Sequence, residues 1–226
     1  MAEAESGIML TVAVLGGTGK EGSGLAVRWA LNGYRVLIGS RDAAKAIEKC
    51  AELNRELGGE YLTGVQNAAA AQVADIIVVS VPYSAQIDTI EGVRDYLSGK
   101  IVVDVTVPLA PPDIRTVHVP EGGSAVLNAQ KLLGSDVRLV GAFQNVSAEK
   151  LRNPDTEVDC DVLVCSDHDD AKAEVIKLVE AAGMRGIDAG PLANSAAAEA
   201  LTPVLLYINK AYKVKGSGIR ITGIPS

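Results

Sequence analysis

The chain is poor in the residues from which many special sites are built. Its three cysteines, Cys50, Cys160 and Cys165, are too few and too irregularly placed for a disulfide framework or a CxxC metal site. Reduced thiols in a cytoplasm are expected, with no metal centre. One Trp, one Phe and a net charge of -7 supply neither aromatic platforms nor a basic field, which excludes nucleic acid as a partner. No apolar run approaches the ~20 residues of a membrane span. The opening "MAEAESGIML" carries Glu3 and Glu5 and no basic residue, unlike a secretory signal. A soluble, cytoplasmic protein without a membrane partner is the expectation.

What the chain does have is alternation. Short β-branched runs recur at 11–15, 35–39, 61–65, 75–81, 100–105 and 137–142. Between them lie helix-forming stretches at about 20–32, 42–57, 84–97 and 122–133. Continuous apolar strands separated by helices indicate a parallel sheet covered on both faces. After residue 142 the pattern repeats in miniature, with a strand at 160–166, a helix at 168–182, a strand at 184–190 and a helical run at 194–212. Pro203 falls inside that last run and is expected to break or kink it. The fold class expected is α/β, a Rossmann-type doubly wound parallel sheet with a small C-terminal α/β lobe. The boundary is placed near residue 150, with residues 1–150 as the dinucleotide-binding domain and 151–226 as the lobe.

The stretch "VAVLGGTGKEG" places Gly17-Thr18-Gly19-Lys20-Glu21-Gly22 as GxGxxG between the first strand and the first helix. Alone the spacing is common; within a βαβ unit it is a dinucleotide fingerprint. On this reading Gly17 permits the tight turn, Gly19 admits a pyrophosphate, and Gly22 lets helix and sheet pack closely. Lys20 and Glu21 are the variable positions of the same loop. Free amides and the positive helix end attract the phosphates. An ordinary glycine turn is the plainer alternative.

The second strand ends "Gly39-Ser40-Arg41". An NAD site usually has Asp or Glu there to hold the ribose 2'-hydroxyl, whereas an NADP site has groups for a 2'-phosphate. Ser40 stands in the acid's place, Arg41 is able to pair with the phosphate, and Thr18 offers a second hydroxyl. Asp42, one residue further, reads as the cap of the next helix. NADP is therefore the expected cofactor.

Acid–base catalysis has few candidates. His118 and His168 both read as surface residues, one in a Pro-flanked loop and one at a helix start. Tyr96 and Lys100 have the spacing of the short-chain dehydrogenase pair, but Lys100 opens a strand, at the edge away from cofactor sites. A hydride acceptor that is itself a planar cofactor ring needs positioning more than it needs a side-chain acid.

The pieces "VLGGTGKEG", "IGSRD", "SVPY", "TVPL" and "DAGPLANSAAAEALTPVLLYIN" resemble the NADPH-dependent reductases of the 8-hydroxy-5-deazaflavin coenzyme F420, over about residues 11–212. The resemblance implies a small Rossmann protein, usually a homodimer, that moves hydride between NADP(H) and the deazaflavin held between its two parts. It implies that Thr18, Ser40 and Arg41 hold the 2'-phosphate, that Val81 and Pro82 lie on the NADP side, and that Val107, Pro108, Gln144 and Val146 lie on the deazaflavin side. There is a departure: archaeal members have a histidine where this chain has Gln144, which is able to hydrogen-bond but not to take up a proton. Flavin-using metalloreductases of the same Rossmann type resemble this family as well.

Three functions stay open at this point: reduction of the deazaflavin, reduction of a flavin, metal chelate or other acceptor, and a non-catalytic NADP-sensing module. Residues 201–226 hold Lys210, Lys213, Lys215 and Arg220 without a carboxylate side chain. They read as a solvated face, or as partners for the acidic tail that the resemblance implies.

Overall fold

A computed structural model describes residues 9–224. The N-terminal residues 1–8, which carry most of the argument against a secretory signal, lie outside the described residues. Six parallel strands, β1 (Thr11–Leu15), β2 (Arg35–Ser40), β3 (Leu62–Gln66), β4 (Ile76–Val79), β5 (Ile101–Asp104) and β6 (Arg138–Gly141), form one sheet in the order 3-2-1-4-5-6. The order reverses between β1 and β4, which opens a crevice at their carboxyl ends. Every residue of β1, β4 and β5 is buried, as the unbroken apolar runs require of a sheet covered on both faces.

The helices are α1 (Lys20–Leu31), α2 (Ala43–Leu57), α3 (Asn67–Val73), α4 (Tyr83–Glu91), α5 (Ala125–Leu133) and α6 (Ala148–Leu151). Asp42 caps α2 by accepting from the Ala44 amide at 3.0 Å, the role its sequence position suggested. The short helix α3 was not among the expected elements. Lys100 Nζ donates to the Ala71 and Gln72 carbonyls at 2.7 and 3.0 Å, so it closes the end of α3 at the edge of the sheet opposite the crevice. That location disposes of the Tyr96–Lys100 pair.

Beyond β6 lie β7 (Asp161–Val164), α7 (Asp169–Ala181), β8 (Arg185–Asp188) and α8 (Ser195–Tyr212), with β7 and β8 paired in parallel. Gly141 and Cys165 exchange two backbone bonds of 2.9 Å, which joins the end of β6 to the end of β7. One continuous apolar core runs from Val12 and Trp29 to Val162 and Leu178. Leu15 and Val79 belong to a second core on the other face of the sheet, which also includes Leu192.

The expected break at Pro203 does not occur: α8 is one helix of 18 residues. An internal proline costs about 3 kcal/mol, and here both halves of the helix are anchored. Ser195 and Glu199 are buried on one side of it. On the other, Leu205 is buried and its carbonyl accepts from Ser217 Oγ, while Asn209 Oδ1 accepts from the Ser217 amide.

Candidate functional site

The loop from β1 into α1 is built on glycines for two different reasons. The left-handed residue of the turn is Gly16, at φ 73°, directly before Gly17. A Cβ on Gly16 would lie 2.4 Å from Val81 Cγ1 and 2.6 Å from the Ser80 carbonyl. Gly17 is required by close approach instead, since its Cβ would meet the Val14 carbonyl at 2.8 Å. Gly22 packs against Gly17 Cα and Ser80, as the fingerprint demands. Gly19 differs from all three. Its φ is -73°, and a Cβ there would meet only the Gly16 carbonyl, at an ordinary 3.5 Å. The protein itself gives no steric reason for glycine at 19, whereas a bound phosphate approaching the backbone would.

Gly19 is also the N-cap of α1, and no side chain caps that helix. Its first amides and positive end are thus left for an anion. Glu21, in the first turn, is half-buried, and desolvation pushes its carboxyl up to about 8. That shift lowers the negative charge Glu21 places beside the helix end near neutral pH. Lys20 is exposed.

The amides of Gly16 and Gly17 both donate to the Gly39 carbonyl, at 3.0 and 3.2 Å. This ties the glycine loop to the end of β2. Thr18 and Ser40 are half-buried there and Arg41 is exposed, on adjoining segments at one edge of the sheet. Ser40 Oγ accepts from the Asp42 amide at 3.2 Å and keeps its hydroxyl proton free for a ligand. Val81 is half-buried and Pro82 exposed at the carboxyl end of β4, across the crevice.

A second group of candidate residues lies at the ends of β5 and β6. Phe143 is fully buried at φ 72°, an uncommon conformation for a bulky residue, and it turns the chain between β6 and Gln144. Gln144 Nε2 donates to the Asp104 carbonyl at 2.8 Å, while Gln144 Oε1 is buried without a partner. Thr106 Oγ1 and Asn145 Oδ1 are likewise buried and unpartnered. Gln144 and Val146 line a cleft of about 380 Å³ together with Thr202, Leu205 and Leu206 of α8 and Lys215 of the tail. Val107 and Pro108 lie just past β5 but do not line it.

Several residues invisible to motif reading hold these two sides together. Arg28 of α1 is buried, and its guanidinium donates to five carbonyls, those of Lys150, Leu151, Asn153, Thr156 and Ala182. Burial lowers its pKa, opposed by the charge of Asp155. Trp29 Nε1 donates to the Leu178 carbonyl at 2.8 Å. The helix that starts at the glycine loop thereby fastens both the segment after Gln144 and helix α7.

Of the basic residues near the C-terminus, Arg220 is already engaged. It pairs with Asp159 and with buried Asp161, which also takes a two-point contact from Arg185. Lys210, Lys213 and Lys215 are exposed. His118 is exposed and His168 half-buried at the start of α7. All three cysteines are buried free thiols. Among the described residues no group of three or more His, Cys, Asp or Glu is placed to hold a metal ion, and no helix is long and apolar enough to cross a membrane.

A 3-2-1-4-5-6 sheet with an uncapped, glycine-opened helix at its switch point defines a dinucleotide-binding Rossmann protein. Residues 11–108 match the family described as NADP oxidoreductase, coenzyme F420-dependent. The chain is 38% identical over 225 residues to the F420-dependent NADP reductase of Methanothermobacter thermautotrophicus, covering 96% of this chain and 97% of that one. It is 41% identical over 224 residues to the enzyme of the same name from Methanocaldococcus jannaschii, covering 95% and 99%. A solved structure from Arthrobacter sp. FB24, a candidate F420-dependent NADP reductase, superposes with a TM-score of 0.79 at 26% identity, covering 94% and 99%. The chain belongs to the F420-dependent NADP reductase family.

Proposed function

We propose that this protein is an oxidoreductase that transfers hydride directly between NADP(H) and the deazaflavin coenzyme F420. The observation that carries the reading is its likeness, over nearly the whole chain, to reductases of that name. On this reading Gly17, Thr18, Gly19, Lys20, Glu21 and Gly22 receive the pyrophosphate, with Val81 and Pro82 opposite. Thr18, Ser40 and Arg41 surround the 2'-phosphate. The fit is supported by the uncapped α1 and by Gly19, whose missing side chain leaves room for a ligand and for no protein group.

When bound, the nicotinamide and deazaflavin rings supply the hydride chemistry themselves. The residues around them orient the rings and exclude water. Gln144, Val146, Val107 and Pro108 belong to the acceptor side, and the main part, residues 1–150, and the lobe, 151–226, form its two walls. The cleft lined by Gln144, Val146 and α8 supports this division. Lys215 on its rim, with Lys210 and Lys213, suits an acidic tail on the acceptor. The protein works in the cytoplasm as a homodimer. Val204, Tyr207 and Tyr212, exposed on α8 at 43, 60 and 75%, are suited to burial against a second copy. Sedimentation of the purified protein tests that state, and a monomer at micromolar concentration counts against it.

A second reading, reduction of a flavin or metal chelate, draws on Gln144, which offers no proton where archaeal relatives have a histidine. Steady-state NADPH oxidation with F420, free flavin and a ferric chelate separates the two. F420 is expected to be turned over with the highest kcat/KM; a preference for flavin or chelate would replace the first reading by the second.

A further inference from the structure

Three side chains on one face of α8 seat that helix on the rest of the molecule. Ser195 Oγ lies 3.1 Å from Ser124 Oγ, and Thr202 Oγ1 donates to the Gln144 carbonyl. Between them Glu199 accepts from the Ala125 and Val126 amides, at 2.8 and 3.1 Å. Positions 195, 199 and 202 are spaced i, i+4 and i+7, a single stripe along the helix. Glu199 is only 3% exposed, and it sits on the first two amides of α5, where unpaired N–H groups and the helix dipole favour an anion. The next residues along α8, Thr202, Leu205 and Leu206, form one wall of the cleft whose other wall is Gln144 to Ala148.

We propose that Glu199 is a positioning residue for this cleft: its carboxylate, docked on the start of α5, fixes where α8 sits and so how far Leu205 and Leu206 stand from Gln144 and Val146. Only the kinetic consequence rests on the reading of the cleft as the acceptor site. Each oxygen of the carboxyl serves one amide, a pair of contacts that fixes the side chain on the start of α5. Burial is the main force raising the Glu199 carboxyl, to about 7, while the two amides oppose it and the charge of Asp104 adds to it. The titratable groups facing Glu199 are Asp104 on β5 and Cys165 after β7, whose thiol is pushed up to about 11 and stays protonated. An opened, solvated carboxyl keeps its ordinary pKa, so the docked state takes up a proton before the open one does: the dock is firmest below about pH 7 and loosens as pH rises through that value.

Glu199→Gln tests the assignment without changing side-chain size. Its carbonyl serves one amide, but its NH2 group faces the other. In hydrogen exchange on the whole chain, amides of 202–209 are expected to exchange about ten-fold faster than in wild type, with those of α1 unchanged. In turnover, KM for the acceptor is expected to rise about ten-fold while the Kd for NADPH stays within about two-fold. Equal exchange in the two proteins would overturn the proposal, as would an equal loss of affinity for NADPH and acceptor. If Glu199→Gln does not fold, wild type decides: protection of 202–209 relative to α1 falls as pH rises from about 6 to 8, where the docked carboxyl gives up its proton, and a constant ratio overturns the proposal. Altered exchange in a protein that turns over no deazaflavin keeps Glu199 in this role and removes the substrate assignment instead.

Discussion

Trp29 meets Phe143 edge-on, with ring centroids 5.8 Å apart and planes at 73°. One ring belongs to the helix that opens at the glycine loop and the other to the left-handed residue just before Gln144, so the glycine-loop helix and the Gln144 segment share this aromatic contact. Phe143→Ala is expected to lose ~3–5 kcal/mol of stability through the cavity it leaves. Phe143→Gly removes the same ring but also relieves the left-handed backbone, so it is expected to be about 1 kcal/mol less damaging than alanine. Urea unfolding of the two variants checks this; glycine as costly as alanine or worse would show that φ 72° carries no strain.

Arg41 is exposed just past the end of β2, next in the chain to Ser40, and the Gly39 carbonyl ties this segment to the glycine loop that holds Thr18. If these surround a 2'-phosphate, Arg41→Ala removes a charge-assisted contact worth ~1.5–3 kcal/mol, a loss of about ten-fold or more in NADPH affinity. NADH, lacking that phosphate, should change little. Direct titration with both nucleotides checks it, and equal weakening would contradict the assignment.

Arg28 donates to five carbonyls, of which the contacts to Leu151 and Ala182 are buried. Arg28→Met removes all five bonds, takes this donor from those two buried carbonyls, and is expected to cost ~3 kcal/mol or more. Arg28→Lys should recover little, because one ammonium cannot span the spread that a guanidinium fork covers. Midpoints of chemical denaturation measure both.

These cases mark what the sequence makes legible. The glycine spacing, the β-branched runs, Asp42 as a cap and the Ser40-Arg41 ending are local signals, and each stands where local rules put it. Arg28 and Glu199 read as ordinary polar positions on helices, because their partners lie 73 to 154 residues away in the chain. Helix α3 is seven residues with four alanines in a row and no amphipathic period, so it gives no pattern to detect. Pro203 obeys tertiary anchoring over local preference. The doubled glycine at 16 and 17 was visible, but which of the two takes positive φ depends on Val81 and the Ser80 carbonyl across the crevice.

Asp161 sets an acid-side dependence. Contacts from Arg185, the Ile221 amide and Arg220 hold this buried carboxyl below the usual carboxylate range, against the opposing effect of burial. A lowered folded-state pKa means that its contribution is present above the unfolded value of ~3.9 and is lost as pH falls through the folded value. Stability of wild type should therefore drop more steeply than that of Asp161→Asn below about pH 4. Parallel acid limbs in the two proteins would show that the clasp adds nothing.

A single turnover with NADPH deuterated at the transferred position of C4 follows the proposed hydride from NADPH to the deazaflavin. Loss of the visible band of oxidised F420 in proportion to enzyme, with deuterium recovered at C5 of the reduced deazaflavin, is the result expected. Tight NADPH binding without bleaching, or reduced deazaflavin free of deuterium, would contradict it.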